Sequence, residues 1–152
     1  EAGEALVSGL ESRLARLRES APAERPRVVC VEWLDPIYLA GHWVPELVGM
    51  AGGRDVGAKP GAHSVAITRE QYRALQPDLV IVMLCGFGLE RATRELELAP
   101  LPDLGVPMVA IDGNSYTSRP GPRIVDGAEK IREALDYLAR STTPARSAAP
   151  TS

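Results

Sequence analysis

Cys85 opens the stretch "CGFGLER", where an apolar run gives way to a helical pattern, and the chain has two histidines, His42 and His63, that could act as its base. A helix start favours an anionic nucleophile, so a thiol-dependent hydrolase or transferase is one chemistry these residue types allow. No third residue stands at a recognisable spacing to orient the base. A zinc site built from His42, His63, Cys85 and an aspartate has no ligand spacing behind it either. "CGFGLE" supplies two glycines where a dinucleotide fingerprint needs G-x-G-x-x-G. Cys30 and Cys85 lie in unrelated contexts, which is neither a zinc motif nor a disulfide framework. The residues that could react are therefore a weak set, and no catalytic or metal-ligating group is assigned.

A different chemistry is better represented. Aromatic residues are only 5% of the chain, yet "CVEWLDPIYLAGHWVPELVGMAGG", residues 30–53, holds both tryptophans, Trp33 and Trp43, together with His42 and Tyr38. Flat side chains with polar handles suit a large, partly apolar ligand. Taken singly, each has a packing explanation: Trp33 could roof a core, Trp43 could staple a helix start, and Asp35-Pro36 and Asp112-Gly113-Asn114 are turn formulas.

The elements that would position these residues follow from apolar patterning. Leu6, Leu10, Leu14 and Leu17 recur at helical spacing over residues 2–18, and Pro22 and Pro26 then break the pattern. "RVVCVE", "DLVIVML" and "VPMVAID" read as three buried strands. "VPELVGMAGG" reads as a helix stopped by Gly52 and Gly53, and residues 53–66 as mostly loop. In "ITREQYRALQPD" Thr68 and Gln71 form a capping box, and Pro77 closes the helix. "LERATRELELA" is helical, and a last helix carries Ile124, Ala128, Ile131, Leu135 and Leu138 along one stripe, with a disordered tail expected from Ser141. Strands alternating with helices, none joined by a tight turn, predict an α/β three-layer sandwich around a mainly parallel sheet. Ligands of such sheets sit beyond the carboxyl ends of the strands. Those ends carry Trp33 and Asp35, then Cys85, Gly86 and Phe87, then Asn114, Tyr116 and Arg119, so the rings are expected to converge on one shallow half-pocket.

Size and charge narrow the classes. A chain of 152 residues makes one domain with a real core. A formal net charge of −3 offers no basic face for nucleic acid. No apolar stretch reaches the roughly 18–20 residues that span a bilayer.

"EWLDPIYLAGHWVPELVGMAGG", "LVIVMLCGFGLER" and "DGNSYTSRPGPRIVDG" together resemble the second lobe of the substrate-binding proteins that serve ABC importers of cobalamin and related metal chelates, the class in which a helical backbone joins two α/β lobes. The resemblance spans roughly residues 27–140. It implies a corrinoid ligand, or else a haem or iron–siderophore, held between lobes without chemistry on it and with no intrinsic cofactor. Residues 1–26 would be the end of the interlobe helix and a linker, 27–140 the binding lobe, and 141–152 the tail. The partners implied are the importer's permease and either a missing first lobe or a second copy of the chain. The compartment would be the periplasm or, if a signal lies upstream, the cell surface as a lipoprotein; the cytoplasm stays open. By the same resemblance Trp33, Asp35, Gly41, His42, Trp43, Cys85, Gly86, Phe87, Asn114, Tyr116 and Arg119 face the cleft. Glu70 occupies the place of the glutamate that docks on permease arginines, with Glu46 second. One departure stands out: where cobalamin binders place a tryptophan before the docking helix, this chain has Ser64 beside His63. A small cysteine-dependent enzyme using Cys85, and an interaction domain whose cleft a partner closes, are the competing readings.

Overall fold

The structure, a computed structural model, describes residues 1–142. Six helices, α1 (Ala2–Glu19), α2 (Val44–Ala51), α3 (Arg69–Ala74), α4 (Leu89–Leu98), α5 (Gly113–Tyr116) and α6 (Arg123–Thr142), flank one sheet. Its strands are β1 (Arg27–Leu34), β2 (Ile37–Leu39), β3 (Arg54–Asp55), β4 (Val65–Ile67), β5 (Leu79–Val82) and β6 (Met108–Ala110). The order is β4-β2-β1-β5-β6, with β3 paired to β1. β1, β5 and β6 run parallel, as the three apolar runs predicted, with Val28 opposite Leu79 and Val80 opposite Met108.

The sheet is mixed rather than wholly parallel. After Leu34 the chain turns tightly through Asp35-Pro36 and returns as antiparallel β2, which in turn pairs antiparallel β4. This corrects the expectation that no strands are joined by a tight turn, and that residues 53–66 are mostly loop. The cause is local: Ile37 and Leu39 are buried while Tyr38 points out, so three residues of period-two patterning suffice for an outer strand. β3 takes the same edge of β1 nearer its start, with Arg27 opposite Arg54.

Side chains of β1 alternate between two cores. Val28 and Cys30 pack with Leu47, Val48, Ile131 and Leu135 beneath α2 and α6. Val29 and Val31 pack with Tyr72, Val80, Val82 and Ala92 beneath α3 and α4. Each fully buried aliphatic side chain contributes roughly 1.5–3 kcal/mol, and the two layers together make the three-layer sandwich.

The helix signals read from the sequence hold in detail. Thr68 Oγ1 accepts from Gln71 N–H at 3.1 Å while Gln71 Oε1 accepts from Thr68 N–H at 2.9 Å, the reciprocal capping box. Gly52 ends α2 at φ 103°, a left-handed conformation that favours glycine. The C-terminal half of α1 joins the fold: Leu17 is buried, Arg13 Nε donates to Glu129 Oε1 at 2.8 Å, and Arg13 also pairs with Asp126. Its N-terminal half stands clear, with Leu6 52% exposed. α6 continues through Ser141 and Thr142, so the expected tail does not begin at Ser141; residues 143–152 of that tail lie outside the described residues.

Candidate ligand-binding site

The regular alternation of β1 is interrupted near its end by a bulge between Val31 and Trp33, and there it is decided which residues meet. Glu32 lines the α2/α6 side, whereas Trp33 and Leu34 both line the α3/α4 side. Two concavities result, one on each side of the sheet's carboxyl edge.

The first, about 200 Å³, is walled by Gly41, His42, Trp43, Ser64, Cys85, Thr117 and Ser118, with Glu32, Val44 and Met83 also lining it. The second, about 140 Å³, is lined by Trp33, Leu34, Asp35, Leu84, Phe87, Glu95 and Ala99. In it the Trp33 and Phe87 rings lie 5.5 Å apart at 54°, and the Arg91 guanidinium sits 3.9 Å from the centre of the Phe87 ring, a cation–π contact. The expected single half-pocket is therefore corrected. The rings fall into three groups: Trp33 with Phe87, Trp43 beside His42, and Tyr116, which points toward Lys130 of α6 at 5.9 Å and lines a separate groove along β6. The sheet itself separates the first two groups, Trp43 packing on its α2/α6 side and Phe87 on its α3/α4 side, and the position of β6 at the sheet edge separates the third. Asn114 and Arg119 are exposed and line neither concavity.

Hydrogen bonds tie the loops of the first concavity into one wall. The Trp43 indole N–H donates to Thr117 O at 3.0 Å, Gly86 N–H to Ser118 Oγ at 3.1 Å, and Gly41 N–H to Ser64 Oγ at 3.1 Å. His42 N–H donates to Ala62 O at 2.6 Å, and Gly61 N–H returns to His42 O at 2.8 Å. Gly41 is required there, since a Cβ would stand 2.5 Å from Ala62 O. His42 itself has φ 56°, an uncommon conformation for a residue with a Cβ. The imidazoles of His42 and His63 end 5.3 Å apart, nearly perpendicular.

Asp55 lies on β3, opposite Val28 near the start of β1. Its Oδ1 accepts from Gly57 N–H at 2.8 Å and Ala58 N–H at 2.9 Å, while its buried Oδ2 has no partner. Burial pushes the carboxyl up to about 6, against the pull of those two N–H groups. Burial, aided by Asp55, also raises the Cys30 thiol well above its ordinary value, in keeping with a packed, unreactive cysteine.

Cys85 is exposed and lines the same concavity as His42, but the catalytic arrangement is not assembled. α4 starts at Leu89 with Gly88 as its cap, so Cys85 lies upstream of the helix start that was to activate it. Among the described residues no hydrogen bond joins its thiol to an imidazole. No group of three or more His, Cys, Asp or Glu among them could hold a metal ion, and none of their helices is long and apolar enough to cross a membrane. Sequence reasoning missed Glu32, Thr117 and Ser118. Glu32 had a signal, an acid at the end of an otherwise apolar run; Thr117 and Ser118 had none.

Glu70 occupies the first turn of α3, fully exposed. Its own backbone N–H and the Thr68 hydroxyl hold its carboxyl below the ordinary range, so it is charged at neutral pH. Glu46 is likewise exposed in the first turn of α2.

No protein-family model and no curated protein matches the chain. Solved structures do. An ABC transporter substrate-binding protein from Listeria monocytogenes EGD-e is similar at TM-score 0.70 and 15% identity, over 86% of this chain and 55% of that one. The periplasmic haem-binding protein HutB of Vibrio cholerae is similar at TM-score 0.66 and 21% identity, over 87% and 55%. The periplasmic vitamin B12-binding protein BtuF of Vibrio cholerae is similar at TM-score 0.63 and 20% identity, over 86% and 52%. Those proteins bind or transport, and the chain spans about half the length of each. Its mixed sheet and two-sided helix layers thus share the fold of about half of those substrate-binding proteins, that of one lobe.

Proposed function

We propose that the chain is one lobe of a substrate-binding protein that holds a metal chelate for an ABC importer and performs no chemistry on it. The observation that carries this is the paired concavities at the carboxyl edge of a lobe whose solved likenesses include haem- and vitamin B12-binding proteins. Neither concavity alone is large enough for a tetrapyrrole. A flat ligand laid across the strand ends would meet Trp33 and Phe87 on one side and Gly41, His42, Trp43, Cys85 and Gly86 on the other. Asp35, Asn114 and Arg119 lie on the surrounding loops and would contact its polar periphery; Tyr116 faces α6 and leaves the set.

A corrinoid is the first ligand, on the three sequence motifs. Haem is the second, favoured by an imidazole in the wall where the sequence has Ser64 in place of an aromatic. Residues 1–26 would continue the helix between lobes, a reading that the exposed apolar start of α1 supports, and 27–140 would be the binding lobe. Glu70 would dock on arginines of the permease, because an exposed carboxylate at a helix start steers and registers a basic surface. The compartment would be the periplasm or the outer cell surface. A first lobe would close the cleft, and a second copy of the chain is the other candidate for that wall.

Titrating the chain with cyanocobalamin and with haemin, alone and with a first lobe of this fold, tests the reading by visible absorbance and calorimetry. Weak one-to-one binding that tightens when the first lobe is added is expected. Failure of the two-lobe assembly to take up either chelate would overturn it.

A further inference from the structure

We propose that His42 and His63 form a two-imidazole anchor that takes neighbouring coordination positions on the metal of an incompletely saturated chelate. The inference rests on the reading of the lobe as a chelate binder, and it departs from the corrinoid and haem named there in favour of a more open chelate.

The two rings come from different loops, one after β2 and one before β4. They meet because the reciprocal backbone hydrogen bonds His42 N–H to Ala62 O and Gly61 N–H to His42 O lock those loops together. The left-handed backbone of His42 is what turns its side chain toward its partner's loop while both backbone groups stay bonded. Both residues are exposed, and His42 lines the first concavity.

Their spacing has a chemical meaning. With a metal–nitrogen bond of about 2.0–2.1 Å, each ring centre lies roughly 3.2 Å from the ion, so rings on neighbouring positions stand about 4.5–5.2 Å apart. The observed separation is 5.3 Å. Small rotations of exposed side chains cover the difference.

Two donors are too few for a bare ion, and among the described residues no third His, Cys, Asp or Glu completes a set. The remaining positions must therefore be filled by the ligand itself. A porphyrin or corrin fills four positions in a plane and leaves two on opposite faces, so two imidazoles from one wall cannot both reach its metal. The pair fits instead an open-sided chelate, of a metal that accepts imidazole nitrogen, with two adjacent positions free.

The probe is Ni²⁺–nitrilotriacetate, whose octahedral ion keeps two adjacent positions open. Binding to the chain is followed by calorimetry and by tryptophan fluorescence, since the Trp43 ring lies 5.7 Å from that of His42. His42→Asn is the variant of choice because asparagine tolerates the left-handed backbone; His63→Ala is its counterpart. Saturable one-to-one binding is expected, weakened about 100-fold or more by either substitution, since each turns a two-point attachment into a one-point attachment. Electron paramagnetic resonance of Cu²⁺–iminodiacetate on the same proteins should show two imidazole nitrogens in the parent and one in each variant. Binding that survives either substitution unchanged overturns the anchor. If cobalamin or haemin is taken up while Ni²⁺–nitrilotriacetate binding ignores the histidines, the anchor is wrong and the lobe reading stands. If both histidines are needed while no natural chelate binds, the anchor stands and the cargo reading fails.

Discussion

The two sides of the carboxyl edge share a strand and differ in almost everything else. On the α2/α6 side the wall carries Glu32, Ser64, Thr117 and Ser118, is cross-linked by hydrogen bonds, and includes His42, with His63 beside it. On the α3/α4 side it is a half-exposed aromatic pair, Trp33 over Phe87, with Arg91 beneath. The bulge near the end of β1 leaves Glu32 on one side and Trp33 with Leu34 on the other. The first wall is tied loop to loop by hydrogen bonds, whereas Trp33 is held by its contact with Phe87 and by a local bond from its indole N–H to Asp35 O, and substitutions should separate them.

The largest effect is expected where both sides are undermined together. A Cβ at Gly113 would run into the carbonyl of Leu84 and stand 2.8 Å from that of Met83, residues that line the second and first concavities respectively. Gly113→Ala should cost about 3 kcal/mol, read by urea denaturation. The two tryptophans then give the contrast directly. Trp43→Phe removes the donor to Thr117 O and leaves that carbonyl unpaired in a partly buried site, a loss of about 1–3 kcal/mol. Trp33 is 41% exposed, and Trp33→Ala should cost about 0.5–1 kcal/mol in the same measurement. Equal losses would erase the distinction between a fixed wall and a loose one.

Asp55 sharpens the comparison through pH. Its carboxyl titrates near 6 in the fold and near 3.8 when unfolded, so between those values the folded protein binds more protons. Stability therefore rises as pH falls through 6, by about 1 kcal/mol between pH 7 and pH 5. Asp55→Asn keeps the acceptor for Gly57 and Ala58 and should abolish that gain; thermal unfolding at the two pH values checks it. The smallest effect on the fold belongs to Glu70→Ala, which should leave the unfolding midpoint unmoved while ligand delivery to the reconstituted importer falls.

Much of the architecture could be read residue by residue. The apolar runs of β1, β5 and β6, the Thr68–Gln71 capping box, the glycine stop of α2 and the leucine stripe of α6 each act over one to five turns, within reach of a local pattern. The β2–β4 pair escaped because three-residue strands leave too short a pattern to separate from loop. The placement of Cys85 escaped too, since only the structure shows that α4 begins beyond it.

Composition and periodicity thus determined the layers, the parallel core strands and the edge at which a ligand would sit, because burial and backbone hydrogen bonding respond to nearest neighbours along the chain. The tertiary structure alone decided which rim residues share a wall. That outcome depends on the bulge near the end of β1, beyond which Glu32 lines one concavity and Trp33 and Leu34 the other, and on the register of β2 with β4, which brings His63 back to His42.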